Sequence, residues 1–243
     1  MDTIKIKNGS TKMIAHRGLS GLETENTCAA FVAAGNRASY FGVETDIHRT
    51  GDGHFILHHD PDTSRVGREK LVVEQSDFAD LRELTLYDRD SGKKRADLRL
   101  PTLEEYIGIC KRYEKTCVLE LKSDFSDGEI REIITSIEKL QWLDRVVFIA
   151  FGYENLLKVR KVKPRQPCQF LVEHFSRDLL TLLVKDDIDL DIYYPVLTKD
   201  IIELCHENNV LVNCWTVDKQ KDAQRLIGWG VDFITSNILE GEA

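Results

Sequence analysis

A chain of 243 residues, 42% hydrophobic and 30% charged with only 5 prolines, can bury a sizeable core and has no stretch whose composition marks it as disordered. Its formal net charge of -8 argues against a general polyanion binder, which needs a basic face to displace counterions, so nucleic acid is not an expected partner. The opening MDTIKIKNGSTKMIAHRG lacks the continuous apolar core of a secretory signal, and no apolar run approaches the ~20 residues that span a bilayer; the expectation is a cytoplasmic protein with no stable membrane association.

In chain order, β-rich apolar runs recur at residues 12–16, 42–47, 117–122, 145–150, 168–172, 189–194, 210–215 and 231–235. Helical patterns lie between them at 26–35, 102–114, 128–142, 153–161, 177–186, 198–208 and 219–229, with polar starts at Thr24, Ser176 and Thr198. This alternation predicts βαβ units with right-handed crossovers and a parallel sheet. The length fits one α/β barrel of the TIM type, which runs to roughly 250 residues, better than two average domains. The six cysteines, Cys28, Cys110, Cys117, Cys168, Cys205 and Cys214, have no zinc-ligand spacing and sit mostly in apolar periodic segments, so they read as buried thiols. Without an exposed heptad or a long apolar surface stretch, a monomer and a weak homodimer are both open.

Two segments depart from simple alternation. Residues 54–59 follow Gly51-Asp52-Gly53 too closely for a crossover and are expected to return as a hairpin, which brings His58 and His59 across from Asp46. Residues 61–99 are too long for a barrel connection and contain one amphipathic segment near 76–84. They form a small insertion over the mouth, read either as a lid or as a solvated loop.

In a parallel barrel, catalytic groups emerge at the C-terminal ends of the strands. The polar residues there are His16-Arg17-Gly18, Glu44-Thr45-Asp46, His58-His59-Asp60 and Glu120-Leu121-Lys122. Glu44 and Asp46 share one face of a strand, as do Glu120 and Lys122 on another. If those faces point inward, three carboxylates converge, and they repel one another unless a cation neutralises them; oxygen ligands suit a hard divalent ion, Mg²⁺ or Ca²⁺. Taken singly, each acid reads as a salt-bridge partner of Arg17 or Lys122, but their number and placement favour the metal. His16 and His59 have the pKa range for acid–base work near neutrality, Arg17 can fork onto a phosphate, and Lys122 adds a point charge. Because neighbours in a strand face opposite sides, the pattern leaves open whether His58 or His59 points inward.

The ordered set His16-Arg17-Gly18, Glu25-Asn26-Thr27, Glu44-x-Asp46, His59-Asp60 and Leu119-Glu120-Leu121-Lys122 resembles the glycerophosphodiester phosphodiesterases of the PLC-like phosphodiesterase superfamily. The likeness extends through Leu100-Pro101-Thr102-Leu103-Glu104-Glu105, Trp215-Thr216-Val217 and Gly230-Val231-Asp232, nearly the whole chain. The resemblance implies a TIM (β/α)8-type barrel that hydrolyses glycerophosphodiesters to glycerol 3-phosphate and an alcohol. It implies His16 and His59 as general base and acid, Glu44, Asp46 and Glu120 as metal ligands, and Arg17 and Lys122 as phosphate-binding groups. Among relatives a substrate hydroxyl beside the phosphodiester attacks phosphorus first and gives a cyclic intermediate, which is one expectation here. Glu25 is expected to orient the site, or else only to complement the positive helix end. Trp215 and Phe151 are expected to wall the substrate's glycerol or leaving group. The sequence departs from the family pattern at Thr24, where a proline is usual, at the doubled histidine His58, at Ala150-Phe151 in place of Ser-Phe, and through Pro61-Asp62-Thr63-Ser64-Arg65-Val66, which lacks the usual leucine and threonines. Lysophospholipid- or sphingomyelin-directed hydrolysis on the same fold is the second reading, and a non-catalytic phosphate-binding barrel the third.

Overall fold

The structure, a computed structural model, describes residues 2–242. Every apolar run becomes a strand because its residues are buried on both faces: β2 (Lys12–Ala15), β3 (Tyr40–Arg49), β5 (Thr116–Leu121), β6 (Val146–Ala150), β7 (Cys168–Val172), β8 (Asp189–Tyr193), β9 (Val212–Trp215) and β10 (Phe233–Ser236). The strand β4 (Phe55–Leu57) pairs antiparallel with β3, Ile47 opposite Leu57, as the tight Gly-Asp-Gly turn requires. These strands form one nine-stranded sheet in the order β2-β10-β9-β8-β7-β6-β5-β3-β4, and β2 also pairs with β3. The parallel strands therefore close on themselves, and β4 stands outside the ring as the end of the hairpin. This is the expected TIM-type α/β barrel.

The helices start where polar side chains satisfy free backbone N–H groups. In α3 (Leu103–Arg112) and α4 (Asp127–Lys139), Thr102 with Glu105 and Ser126 with Glu129 make reciprocal capping boxes. Ser176 caps α6 (Arg177–Asp186) and Thr198 caps α7 (Lys199–Glu207), as their positions predict. The cap of α1 (Cys28–Gly35) is Thr27, not Thr24. Thr24 instead donates to the carbonyl of Tyr87, so it anchors the insertion to the barrel. The ring is completed by α5 (Tyr153–Val162) and α8 (Gln220–Gly228). Among the described residues no helix follows β10. A short strand β11 (Leu239–Gly241) pairs in parallel with β1 (Ile4–Ile6), and so ties the two ends of the chain together; the sequence pattern did not show this ribbon.

The main core lies between strands and helices. A second apolar cluster of Ile14, Val118, Ile149, Leu171 and Phe233 fills the barrel itself. The insertion has a core of its own: Val66, Val73, Leu81, Leu84, Leu86 and Leu98 pack on Ile56 and Leu100, with its short helix α2 (Phe78–Glu83) at the predicted amphipathic segment. The segment is thus packed against the barrel around apolar residues of its own. Five of the six cysteines are buried, Cys28 is half-buried, and all six are free thiols.

Candidate active site

Strand register gathers the acids. Asp46 on β3 lies beside Glu120 on β5, and Glu44 beside Val118, so Glu44, Asp46 and Glu120 share one inward face. Ligand oxygens of all three lie within 4.8 Å of one another, and all three residues are buried. Two cations stand against them: Lys122 Nζ is 2.9 Å from Glu120 and 3.8 Å from Asp46, and Arg17 Nε is 3.7 Å from Asp46. The salt-bridge pairing considered from sequence is therefore real, but it leaves three carboxylates against two cations. Burial and the charge of Asp46 push Glu44 well up and Glu120 to about 8. Burial alone would raise Asp46 too, but Arg17, His59 and Lys122 hold it at about 2. The buried Oδ1 of Asp46 has no hydrogen-bond partner. An all-oxygen donor set with one orphaned atom fits a hard divalent cation, which would relieve the repulsion that now raises Glu44 and Glu120.

The turn after β2 is built around Arg17 and Gly18, both in the left-handed backbone region. In that conformation the Arg17 N–H donates to Glu44 Oε2 at 2.7 Å, while the guanidinium reaches Glu25 at 2.7 Å. Gly18 is required twice over: its φ is +74°, and a Cβ there would sit 2.6 Å from the backbone of Ala30. Burial alone would raise Glu25, but it is gripped by Arg65 of the insertion and by Arg17 and falls to about 2. Arg65 also bonds Asp60. The insertion thus meets the site through one side chain that bridges Glu25 and the partner of His59.

The two histidines are held differently. His16 Nδ1 lies 2.7 Å from Asn237 Oδ1, and Asn237 is fixed in turn by Nδ2 donating to Asp218 at 2.6 Å. With its oxygen facing the ring, Asn237 assigns the proton to His16 Nδ1 and leaves Nε2 free to accept one. Burial, then the charge of Arg17, lowers His16 to about 4, so the ring is neutral at pH 7. His59 Nδ1 lies 2.7 Å from Asp60 Oδ1; burial lowers its pKa, opposed by Asp46 and Asp60. His59 lines the cavity, whereas His58 is buried elsewhere with Nε2 3.0 Å from the carbonyl of Asp62. Of the two rings, His59 is the one that faces the cavity.

His16, Arg17, Glu44, His59, Glu120, Phe151 and Trp215 line one cavity of about 110 Å³ at the C-terminal ends of the strands. Lys122 reaches it through its pairing with Glu120. Phe151 and Trp215 meet edge to face at 5.6 Å, and Tyr193, which the sequence reading missed, packs on Trp215 at 5.5 Å. Asn26 was also missed as a contributor. Its Nδ2 donates to Asp46 at 2.7 Å and its Oδ1 accepts from Thr45. A larger groove of about 860 Å³, lined by Trp142, Pro164 and Pro167, lies at the opposite end of the barrel, away from every one of these groups.

A profile of the glycerophosphoryl diester phosphodiesterase family matches residues 16–240. The chain belongs to that family. Among curated proteins it is 28% identical over 230 residues to a glycerophosphodiester phosphodiesterase of Caldanaerobacter subterraneus subsp. tengcongensis, across 93% of this chain and 94% of that one. A glycerophosphodiester phosphodiesterase of Bacillus subtilis is 25% identical over 242 residues, across 92% and 82%. Among solved structures, an Oleispira antarctica phosphodiesterase in complex with the product sn-glycerol-3-phosphate superposes with a TM-score of 0.82 at 26% identity, across 93% of each chain. A protein from Silicibacter pomeroyi matches at 0.84 and 20% identity, a likeness of fold.

Proposed function

We propose that this member of the family is a phosphoric diester hydrolase that cleaves glycerophosphodiesters to glycerol 3-phosphate and an alcohol, with a divalent metal, Mg²⁺ or Ca²⁺, held by Glu44, Asp46 and Glu120. The observation that carries this reading is that His16, His59, Arg17, Glu44 and Glu120 line one small cavity, with the oxygens of Asp46 within 4.8 Å of those of Glu44 and Glu120, and Lys122 at 2.9 Å from Glu120. When bound, the metal supplies positive charge against the phosphoryl oxygens. Arg17 and Lys122 orient the phosphate by a planar fork and a point charge. His16, neutral and oriented by Asn237, takes the proton of the attacking oxygen at Nε2; where that oxygen is the glycerol hydroxyl beside phosphorus, water then opens the cyclic phosphate to glycerol 3-phosphate. His59, which Asp60 steadies in its protonated form, gives a proton to the departing oxygen. Glu25 orients Arg17, and Phe151 and Trp215 exclude water along one wall. A cavity of about 110 Å³ favours a short polyol over an acylated substrate, which is why the lysophospholipid reading ranks second.

Among the described residues no helix is long and apolar enough to cross a membrane. Free thiols throughout fit the cytoplasm, where this reading places the enzyme as a monomer or weak homodimer. The test is release of glycerol 3-phosphate from glycerophosphocholine and glycerophosphoethanolamine, with EDTA, metal add-back and Glu44→Ala. Activity that EDTA removes, metal restores and the variant lacks is expected. Folded, metal-loaded protein that turns over neither substrate defeats the reading.

A further inference from the structure

The barrel interior is not wholly apolar. Ile14, Val118, Ile149, Leu171 and Phe233 form its apolar cluster. Strands β7 to β10 add to this lining Gln169, Asp191, Asn213 and Thr235, all buried, beside Leu171 and Phe233. Asn213 and Thr235 satisfy each other at 3.1 Å, and Asn213 Oδ1 also accepts from the N–H of Cys214. Asp191 is not satisfied in this way. It is 1% exposed, and its Oδ1 has no hydrogen-bond partner, nor has Oε1 of Gln169 on the adjacent strand. In register Asp191 sits between Leu171 and Asn213, two residues below Tyr193 and Trp215 and so about 6–7 Å deeper than the rim. Its side chain lines the same cavity as His16, His59, Glu44 and Glu120.

A buried acceptor without a donor costs about 1–3 kcal/mol, and more when charged. Packing does not require it, since Leu171 fills the equivalent place one strand away. A donor that arrives with a ligand would satisfy it. The cavity of about 110 Å³ is small but holds more than a single water, room enough for a short polyol.

We propose that Asp191 is a specificity-determining residue of this pocket, which accepts a hydrogen bond from the free glycerol hydroxyl farthest from phosphorus. The proposal rests on the phosphodiesterase reading above and narrows it to substrates whose glycerol end is unacylated and fully hydroxylated. With the phosphate at the rim between Arg17 and Lys122, the three-carbon chain descends past Trp215 and its last hydroxyl reaches Asp191. The surroundings suit a neutral hydroxyl better than an ammonium group: Gln169, Asn213 and Thr235 carry no charge, and burial pushes the Asp191 carboxyl up to about 7, eased only by Asn213. At that value it both accepts and donates near neutral pH.

The test compares glycerophosphoethanolamine with the analogue in which propane-1,2-diol replaces glycerol. The analogue keeps the hydroxyl next to the phosphodiester and lacks only the terminal one. The wild type is expected to prefer the glycerol substrate in kcat/KM by about tenfold to a hundredfold, because the analogue leaves a buried acceptor unpaired. Asp191→Leu loses the preference by slowing the glycerol substrate and not the analogue, and it melts no lower than the wild type. Asp191→Asn, closest in shape, is expected to keep a reduced preference and guards against a folding failure of the leucine variant. Equal wild-type rates on the two substrates overturn the assignment and leave the phosphodiesterase reading standing. So do variants that slow both substrates alike, the result expected if an internal water alone satisfies Asp191. Variants whose effect instead separates glycerophosphocholine from glycerophosphoethanolamine place the leaving alcohol at Asp191 and also overturn it. A wild type that turns over neither substrate overturns both readings.

Discussion

At the scale of single residues, the site depends on groups that touch no reacting atom. Asn237 holds the imidazole of His16 through one oxygen and is itself pinned by Asp218 on the other side. Replacing it with leucine frees the ring to rotate and to exchange tautomers, while the three carboxylates, Arg17 and Lys122 stay in place. Asn237→Leu is therefore expected to lower kcat by about tenfold to a hundredfold, within the usual contribution of a positioned acid or base, with KM little changed. Steady-state kinetics on glycerophosphocholine reads this directly, and an unchanged kcat would show that His16 is held by something else. Asn237 and Asp218 are not evident in the sequence although both follow the C-terminal ends of barrel strands, as His16, Lys122 and Trp215 stand at them. Asn and Asp after a strand are also what a turn prefers, so residue type alone did not separate the two roles. Asp191 was hidden for a different reason. It lies with Asp189 in a run, 189–194, that reads as one more apolar strand, and only barrel closure shows that its side chain faces inward.

At the scale of elements, the joint between β2 and α1 sets the geometry of the rest. The same short turn presents His16, aims the backbone N–H of Arg17 at Glu44 and starts the helix whose preceding residues include Glu25 and Asn26. Gly18 makes this possible by letting the turn lie on Ala30. Gly18→Ala adds a methyl that meets Ala30 backbone at 2.6 Å in a conformation that disfavours L side chains. A loss of about 2–4 kcal/mol follows, from overpacking together with backbone strain, or a fall in Tm of about 5–15 °C for a chain of this size. A melt within 2 °C or so of the wild type would mean that the turn relaxes freely. The strands, the hairpin and most helices were legible because long buried runs, turn glycines and capping residues act locally. The β1–β11 ribbon was not. Each strand has three residues, and each pairs with a partner at the far end of the chain, so neither periodicity nor a turn signal announces it. The small core of residues 61–99 was not legible either, because it is completed by Ile56 and Leu100, which lie outside that segment.

At the scale of the whole molecule, the barrel closes around an electrostatic conflict. Glu44, Asp46 and Glu120 face Arg17 and Lys122, and the carboxylates in excess are held together by the fold against their mutual repulsion. A cation bound only by the folded state shifts unfolding by RT ln(1 + [L]/Kd), about 2.7 kcal/mol at a hundredfold excess over Kd, or about 5–11 °C here. The melting temperature is therefore expected to rise on adding Mg²⁺ or Ca²⁺ and to fall back with EDTA. Glu44→Gln separates this from a nonspecific salt effect, because the two contributions of Glu44 have opposite signs. In EDTA the variant loses a like-charge repulsion and is expected to melt at or above the wild type. With metal present it loses a ligand, fails to rise and melts below the wild type. The crossing of the two melting curves as metal is added is the signature of a carboxylate kept for its ligand at a cost to the unliganded fold. Parallel curves, with Glu44→Gln lower in both conditions, would make Glu44 an ordinary structural acid whose main partner is the backbone N–H of Arg17.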